Sequence, residues 1–207
     1  MRSRVSRTAV GVLSLVVVAV LAACGPVKMG AAAIVGDQRI SAKEIDASAR
    51  KVTELSPTAT QQGNVPAGLT LSRVLDLLIR EQAKREGIGY SQGDVDKAIA
   101  KATDNAGLRP GSVYKVPLVS GVQVQMPTAD AREFAVSLYL QEQLVKRYAG
   151  ADLRKGQQEL AERLGALAEE IGVQVNPRYG DFDPRTVSLK VNYGGLWQPA
   201  TGRAGQP

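Results

Sequence analysis

The sequence contains no histidine, a single cysteine and few aromatic residues, and each shortage excludes a class of chemistry. Without histidine the chain has no Ser-His-Asp triad, no Cys-His dyad and no histidine-ligated metal. A single cysteine allows no internal disulfide, no redox pair and no thiolate zinc cluster. Aromatic residues make up 4% of the chain, so platforms for stacking nucleobases are scarce.

Long runs of basic residues are also lacking. The net charge is +6, but Arg2, Arg4 and Arg7 precede an apolar stretch, and without them 23 basic residues face 20 acidic ones. This balance gives no footprint for nucleic acid. An apolar content of 44% and a charged content of 22% are typical of a globular chain, and 207 residues suit one domain with a small appendage.

The N-terminus has the parts of a secretory signal. Met1 to Arg7 is basic, and residues 9–20 (AVGVLSLVVVAV) form an apolar stretch shorter than the roughly 20 residues of a spanning helix. The following Leu21-Ala-Ala-Cys24 resembles the bacterial lipobox, in which the cysteine receives a diacylglyceryl group and becomes the first residue after cleavage. The alternative is a plain signal peptide with a cysteine near its end by chance.

The lipobox divides the chain into a signal peptide at 1–23, a lipidated linker at 24–30, a domain over 31–193 and a disordered tail at 194–207. Two or three acyl chains hold a protein firmly on a bilayer, whereas one chain binds only marginally. We therefore expect Cys24 to anchor the protein in the lipid bilayer, on the extracytoplasmic face of the cell membrane.

Hydrophobic periodicity predicts five helices. Ser41 and Glu44 have the spacing of a capping box, and Asp94 falls in the first turn of a helix that opens at Ser91. The expected bounds are about 41–55, 70–86, 91–107, 129–148 and 152–171, with a loop at 56–68.

Short strands are expected at both ends of the domain. Gly36-Asp37 suits the two-residue turn of a hairpin over 31–40, while residues 173–176 and 187–191 favour strands. A lone hairpin is marginal in water, so we expect the N-terminal hairpin to pair with a C-terminal strand. The predicted fold class is mainly α, a five-helix bundle with a small β element that brings the two ends together.

Residues 108–127 separate the third and fourth helices and follow a different pattern. Apolar and polar residues alternate over 122–126, while Pro117 disfavours a central strand position. We expect either a β-hairpin arm or a long loop.

Three stretches resemble known proteins. AAIVGDQRISAKEID (32–46) and LDLLIREQAKREGIGYSQGDVDKAI (75–99) are similar to the first helices of the SurA N-terminal domain. GVQVNPRYGDFDP (172–184) is similar to the closing strand of short actinobacterial lipoproteins that carry this domain. The resemblance implies an extracytoplasmic, chaperone-like fold that binds peptides. Parvulin isomerase domains, which SurA carries between the third and fourth helices, have about 90 residues and contain histidine; here about 20 residues and no histidine occupy that place, so isomerase activity is not carried over.

The first hypothesis for function is a membrane-tethered chaperone that binds unfolded or extended polypeptides without catalysis. It would use an apolar crevice between the helices and the arm. Its candidate contacts lie in the arm, because loops leave apolar side chains partly exposed; the alternative is that the arm only packs on the bundle. Arg178 and Tyr179 would clamp a peptide, or else pack the strand end against the helices. The candidate residues in the arm are Val113, Tyr114, Val116, Val119, Val122, Val124 and Met126.

The second hypothesis is a non-catalytic envelope scaffold that recognises one folded partner. It would use the tail around Trp197 or the apolar seam of the fifth helix, which also suits a core; the seam consists of Leu160, Leu164, Leu167 and Ile171.

An enzyme is not expected. Glu169-Glu170 has the features of a solvated helix end, and Asp181 and Asp183 those of turn residues. No cofactor or metal site is predicted.

Overall fold

The fold is mainly helical with a small amount of antiparallel sheet, as predicted. The computed structural model describes residues 29–55, 64–106, 114–117, 123–126 and 128–191. The elements in these ranges are β1 (Ala31–Val35), β2 (Gln38–Ser41), α1 (Ala42–Leu55), α2 (Val65–Arg85), α3 (Gln92–Ala106), β3 (Tyr114–Pro117), β4 (Gln123–Met126), α4 (Thr128–Ala149), α5 (Leu153–Ile171), β5 (Val173–Val175), β6 (Asp181–Asp183) and β7 (Ser188–Lys190).

The two ends of the domain meet in one sheet, and the predicted pairing is confirmed. β1 lies between β2 and β5 and is antiparallel to both, with Val35 opposite Gln38 on one side and Val173 on the other. Gly36 turns the hairpin with a φ of 60°, and its N–H donates to the Gly172 carbonyl at 3.0 Å. Ala31, Ala32 and Ala33 are fully buried. Their small side chains let α1 and α2 approach the central strand closely.

The helices pack around α2, which contacts α1, α4 and α5 as well as β1. Its inward positions recur at helical spacing and include Val74 and Leu78, neither of which is exposed at all. The facing apolar residues are Ile45 and Val52 of α1, Val136, Leu140 and Leu144 of α4, and Leu160, Leu164 and Leu167 of α5.

The start of α2 differs from the expected bounds. The helix begins at Val65 rather than near Thr70, so 65–68 are helical and not part of a loop. Asn64 Oδ1 accepts a hydrogen bond from Ala67 N at 3.0 Å, and Pro66 occupies the first turn, where its missing N–H leaves no bond unmade. The remainder of the predicted loop lies outside the described residues.

Two leucines of the helices are exposed. Leu138 is 47% exposed because it lies about 200° around α4 from Val136, which is buried with Leu140 and Leu144. Leu153 is 62% exposed because it is the first residue of α5 and lies beyond the end of α4 at Ala149.

The C-terminal region forms a hairpin of its own. Asp181 and Asp183 lie in β6, so the prediction that they form a turn is wrong: they pair with Lys190 and Ser188 of β7. The strand expected over 187–191 is present as β7. The signal peptide predicted at 1–23, Cys24 and the tail predicted at 194–207 lie outside the described residues.

α4 and α5 approach each other closely at Gly156. A Cβ atom at this position would overlap the Val145 carbonyl oxygen and lie 2.8 Å from Ala149 Cβ. The atom that the added Cβ would overlap belongs to the backbone of α4, so rotation of a side chain cannot relieve the overlap.

We expect Gly156→Ala to lower the free energy of unfolding by about 1–3 kcal/mol, despite the higher helix propensity of alanine. The matched control is Gly93→Ala in α3, where an added Cβ would meet only Ser91 Oγ at an ordinary 3.7 Å. Urea denaturation followed by circular dichroism measures both. An equal or higher stability of Gly156→Ala relative to wild type would contradict the tight crossing.

Candidate functional site

A groove opens on the surface where α1, α2 and the start of α4 meet β2. Its deep end has a volume of about 90 Å³, the space of about three water molecules. The apolar part of the deep wall consists of Ile45 and Val52 from α1, Leu69 from α2 and Phe134 from α4.

A shallower part continues from the deep end towards β2. Its volume is about 470 Å³, and its lining includes Arg39, Ile40 and Leu77. The two parts share Ile45, Ser48, Arg73, Asp76 and Glu133, so they form one continuous depression, which we call the central groove. Its total size is in the range of ligand-binding clefts.

An ion pair crosses the central groove where its two parts meet. Arg73 of α2 and Glu133 of α4 approach to 2.5 Å, with side chains 49% and 62% exposed. The hydrogen bond from Arg73, followed by its charge, lowers the pKa of Glu133. An exposed pair of this kind adds little stability because water and salt screen it. The pair gives the rim one charge of each sign without closing the groove.

The arm is a hairpin in its described part, rather than a loop. β3 and β4 pair antiparallel and lie against α4 and α1, the helices that line the deep end of the groove. Tyr114 is opposite Met126, and Val116 is opposite Val124. Val113, Val119 and Val122 lie outside the described residues.

Tyr179 is a core residue, which corrects its assignment to a peptide clamp. Its side chain is 1% exposed, and its hydroxyl donates to Asp46 Oδ1 at 3.4 Å. Burial raises the pKa of the Tyr179 phenol. Arg178 is exposed but lies 3.4 Å from Asp46 Oδ2, and Asp46 does not line the central groove. These residues therefore attach the C-terminal segment to α1, in line with the packing alternative.

Asn176 fixes this attachment through its backbone and side chain. Its backbone N–H donates to the Ala32 carbonyl at 2.8 Å, and its Nδ2 donates to the Ala31 carbonyl at 3.2 Å. Its Oδ1 accepts from Arg178 N at 3.0 Å, which forms the turn that directs Tyr179 inward. The Asn-Pro-Arg-Tyr stretch thus closes the domain.

The seam of α5 is not available as a scaffold surface. Leu160, Leu164 and Leu167 are buried in the core, and Ile171 is partly buried against it. The alternative surface around Trp197 lies outside the described residues. The neighbouring Glu170 binds Arg85 of α2 through two hydrogen bonds of 2.7 and 3.0 Å, and so serves helix packing.

A polar network at the end of α2 was not anticipated from the sequence. Glu86 accepts a hydrogen bond from Tyr148 at 2.7 Å and lies 3.3 Å from Arg147 and 3.5 Å from Arg163. Arg163 also stacks over the Tyr148 ring at 4.6 Å. The network links α2, α4 and α5, and Glu86 is more than sixty residues from its partners along the chain. Because these groups bind one another, we assign the network to stability.

The residues of the central groove were also missed, because Arg73 and Glu133 are 60 positions apart and neither belongs to a motif.

Within the described ranges, no group of three His, Cys, Asp or Glu side chains is arranged to hold a metal ion. In the same part of the chain, no helix is long and apolar enough to cross a membrane. Comparisons with protein-family models, curated proteins and solved structures gave no match.

The network predicts that the contribution of Glu86 to the free energy of unfolding depends on pH. The hydrogen bond from Tyr148, followed by the charges of Arg147 and Arg163, lowers the pKa of Glu86 in the folded state. A carboxyl group whose pKa is lower in the folded state than in the unfolded state stabilises the fold at pH values above its unfolded-state pKa. This stabilisation is lost as the pH falls through the folded-state pKa.

We therefore expect Glu86→Gln to be less stable than wild type at pH 7, with a difference that shrinks as the pH falls below the ordinary carboxyl range. Glu169→Gln, at an exposed position of α5, is the control and should have the stability of wild type at pH 7. Denaturant unfolding across this range measures both. A pH-independent effect of Glu86→Gln would contradict the role of its charge.

Proposed function

We propose that the protein is a membrane-tethered binder of extended polypeptides, with a chaperone-like and non-catalytic role at the extracytoplasmic face of the cell membrane. The observation that carries this proposal is the central groove, which combines apolar side chains in the wall of its deep end with a pair of opposite charges where its two parts meet. Sites that bind chains of varied sequence need apolar surface for affinity and polar groups for the peptide backbone.

The groove offers these two kinds of contact side by side. An apolar side chain would enter the deep end against Ile45, Leu69 and Phe134. The backbone of the same segment would lie in the shallow part, within reach of polar groups such as Arg39 and Ser48. The β3–β4 hairpin, a two-stranded sheet, would add strand edges on which an extended chain can form backbone hydrogen bonds.

The position of the groove suits a tethered protein. Arg39, which lines the shallow part, donates to the Met29 carbonyl at 2.6 Å. Met29 follows Cys24 by five residues, a span of at most about 18 Å. If Cys24 is acylated, the groove therefore opens close to the bilayer surface, where exported chains emerge.

Blocking the groove tests the binding proposal. Ser48 lines both parts of the groove, so Ser48→Trp would occupy space that a peptide needs. Lys43→Trp is the matched control, because it adds the same ring to an exposed position of α1 outside the groove. We expect Ser48→Trp to weaken suppression of aggregation of an unfolded client at least about tenfold, since it removes a buried apolar contact. Lys43→Trp should behave as wild type.

Unfolding curves of both variants establish that the fold is intact. Wild-type suppression by Ser48→Trp would show that the groove is not the binding site. A client that binds none of the three proteins would contradict the chaperone-like role.

The anchor is tested at Cys24. We expect mass spectrometry of the membrane-extracted protein to show an N-terminal Cys24 that carries a diacylglyceryl group. Cys24→Ser should remove the modification and the membrane retention, while Gly25→Ser should keep both, because only the thiolate provides the sulfur for the thioether bond. An unmodified Cys24 thiol in the mature protein would exclude the lipid anchor.

A further inference from the structure

We infer that an extended segment of the bound polypeptide adds as a further strand to the free edge of β2, inside the shallow part of the central groove. This inference rests on the proposed function, because it specifies how the groove holds the backbone of the segment.

β2 is an edge strand of the sheet that closes the domain. β1 lies on one side of β2, and within the described ranges no strand lies on the other side. The free edge of a sheet presents backbone N–H and C=O groups to which an extended chain can bind. β2 can therefore accept one more strand.

The register determines which backbone groups lie at this edge. Gly36 N donates to the Gly172 carbonyl beside β5, and backbone groups of successive residues in a strand point to opposite sides. Val35 therefore faces β2, where Gln38 is its partner. Since Gln38 faces β1, the next residue, Arg39, directs its N–H and C=O away from β1. An added strand would bind the backbone of Arg39.

The shallow part of the central groove lies along this edge. Its lining includes the consecutive residues Gln38, Arg39 and Ile40 and no residue of β1, which is described in full. Side chains of consecutive residues point to opposite faces of a strand, so a depression over one face would contact every second residue. A depression that contacts three residues in a row lies beside the strand, on the side away from β1.

The helices beside this edge give an added strand an inner face. Ile40 is buried, so the face of β2 that carries it is turned towards the helices. Every second side chain of an added strand would lie on the same face, near Ile45 of α1 and Leu77 of α2. Most of the other lining residues are polar or charged, so pairing of the backbone is the main attraction in this part of the groove.

Charge disfavours a second copy of this chain as the occupant. Arg39 is exposed and carries the outward backbone groups, so a symmetric pairing of two β2 strands centred on it would place two arginines opposite each other. Like charges directly opposite destabilise a strand pair, and a charged residue protects an edge against its own copy. A segment of another polypeptide with an acidic or neutral residue at that place has no such cost.

The test is a scan of the bound backbone. It uses the full-length chain in detergent micelles and one unstructured peptide, N-methylated at each of six successive residues in turn, with dissociation constants from fluorescence anisotropy. We expect methylation to weaken binding about tenfold where the N–H faces β2, because the Arg39 carbonyl then loses its donor. Methylation of either neighbouring residue should change binding less than about twofold, since backbone groups alternate in parallel and antiparallel pairs alike.

Arg39→Pro tests the same contact from the protein side. Proline lacks the N–H, and at an edge position whose N–H points outward it leaves the hydrogen bonds between β1 and β2 in place. Arg39→Ala is the matched control, because it also removes the charged side chain but keeps the N–H. We expect Arg39→Pro to bind the unmodified peptide about tenfold more weakly than Arg39→Ala. If Arg39→Pro does not fold, the peptide scan on wild type decides.

The same effect of N-methylation at all six positions, or at none, would overturn the strand addition while leaving peptide binding in place. Equal affinities of Arg39→Pro and Arg39→Ala would do the same. A wild-type dimer that Arg39→Pro dissociates would show that the edge holds a second copy, which also contradicts the inference. If no peptide binds wild type, the proposed function fails and this inference fails with it.

Discussion

The pairing of β1 with β5 is the constraint on which the rest of the structure depends. It joins residues 33–35 to residues 173–175, so the five helices are enclosed between two strands of one sheet. Asn176 and Tyr179 strengthen the closure by binding β1 and α1. A hairpin of this size would be marginal alone, but burial of the alanines of β1 under α1 and α2 couples the sheet to the helical core.

This closure produces the central groove. α1 leaves β2 directly and α2 packs beside it, whereas α4 arrives from beyond the β3–β4 hairpin and brings Glu133 and Phe134 to the opposite wall. The crossing of α4 and α5 at Gly156 and the Glu86 network hold α4 in this position from its far end. The walls of the groove thus come from three helices that pack against one another.

Elements with strong local signals could be predicted from the sequence. The helices, the Gly36-Asp37 turn and the pairing of the two ends follow from periodicity and turn chemistry. The start of α2 was misjudged because the cap is an asparagine within a segment rich in loop-forming residues. Asp181 and Asp183 resembled turn residues, but they lie in β6 of a local hairpin and pair with β7. The residues that form the groove could not be foreseen, because the ion pair in it joins helices whose relative positions depend on the closed sheet.

Hydrogen exchange of the full-length chain, with and without an unfolded polypeptide, tests the central claim most directly. The account predicts that bound polypeptide slows exchange in the groove segments of α1 (44–52), α2 (69–77) and α4 (133–137), together with β3 and β4. α3 and the outer face of α5 should exchange as before. Protection confined to α3 or α5, with no change along the groove, would contradict the account.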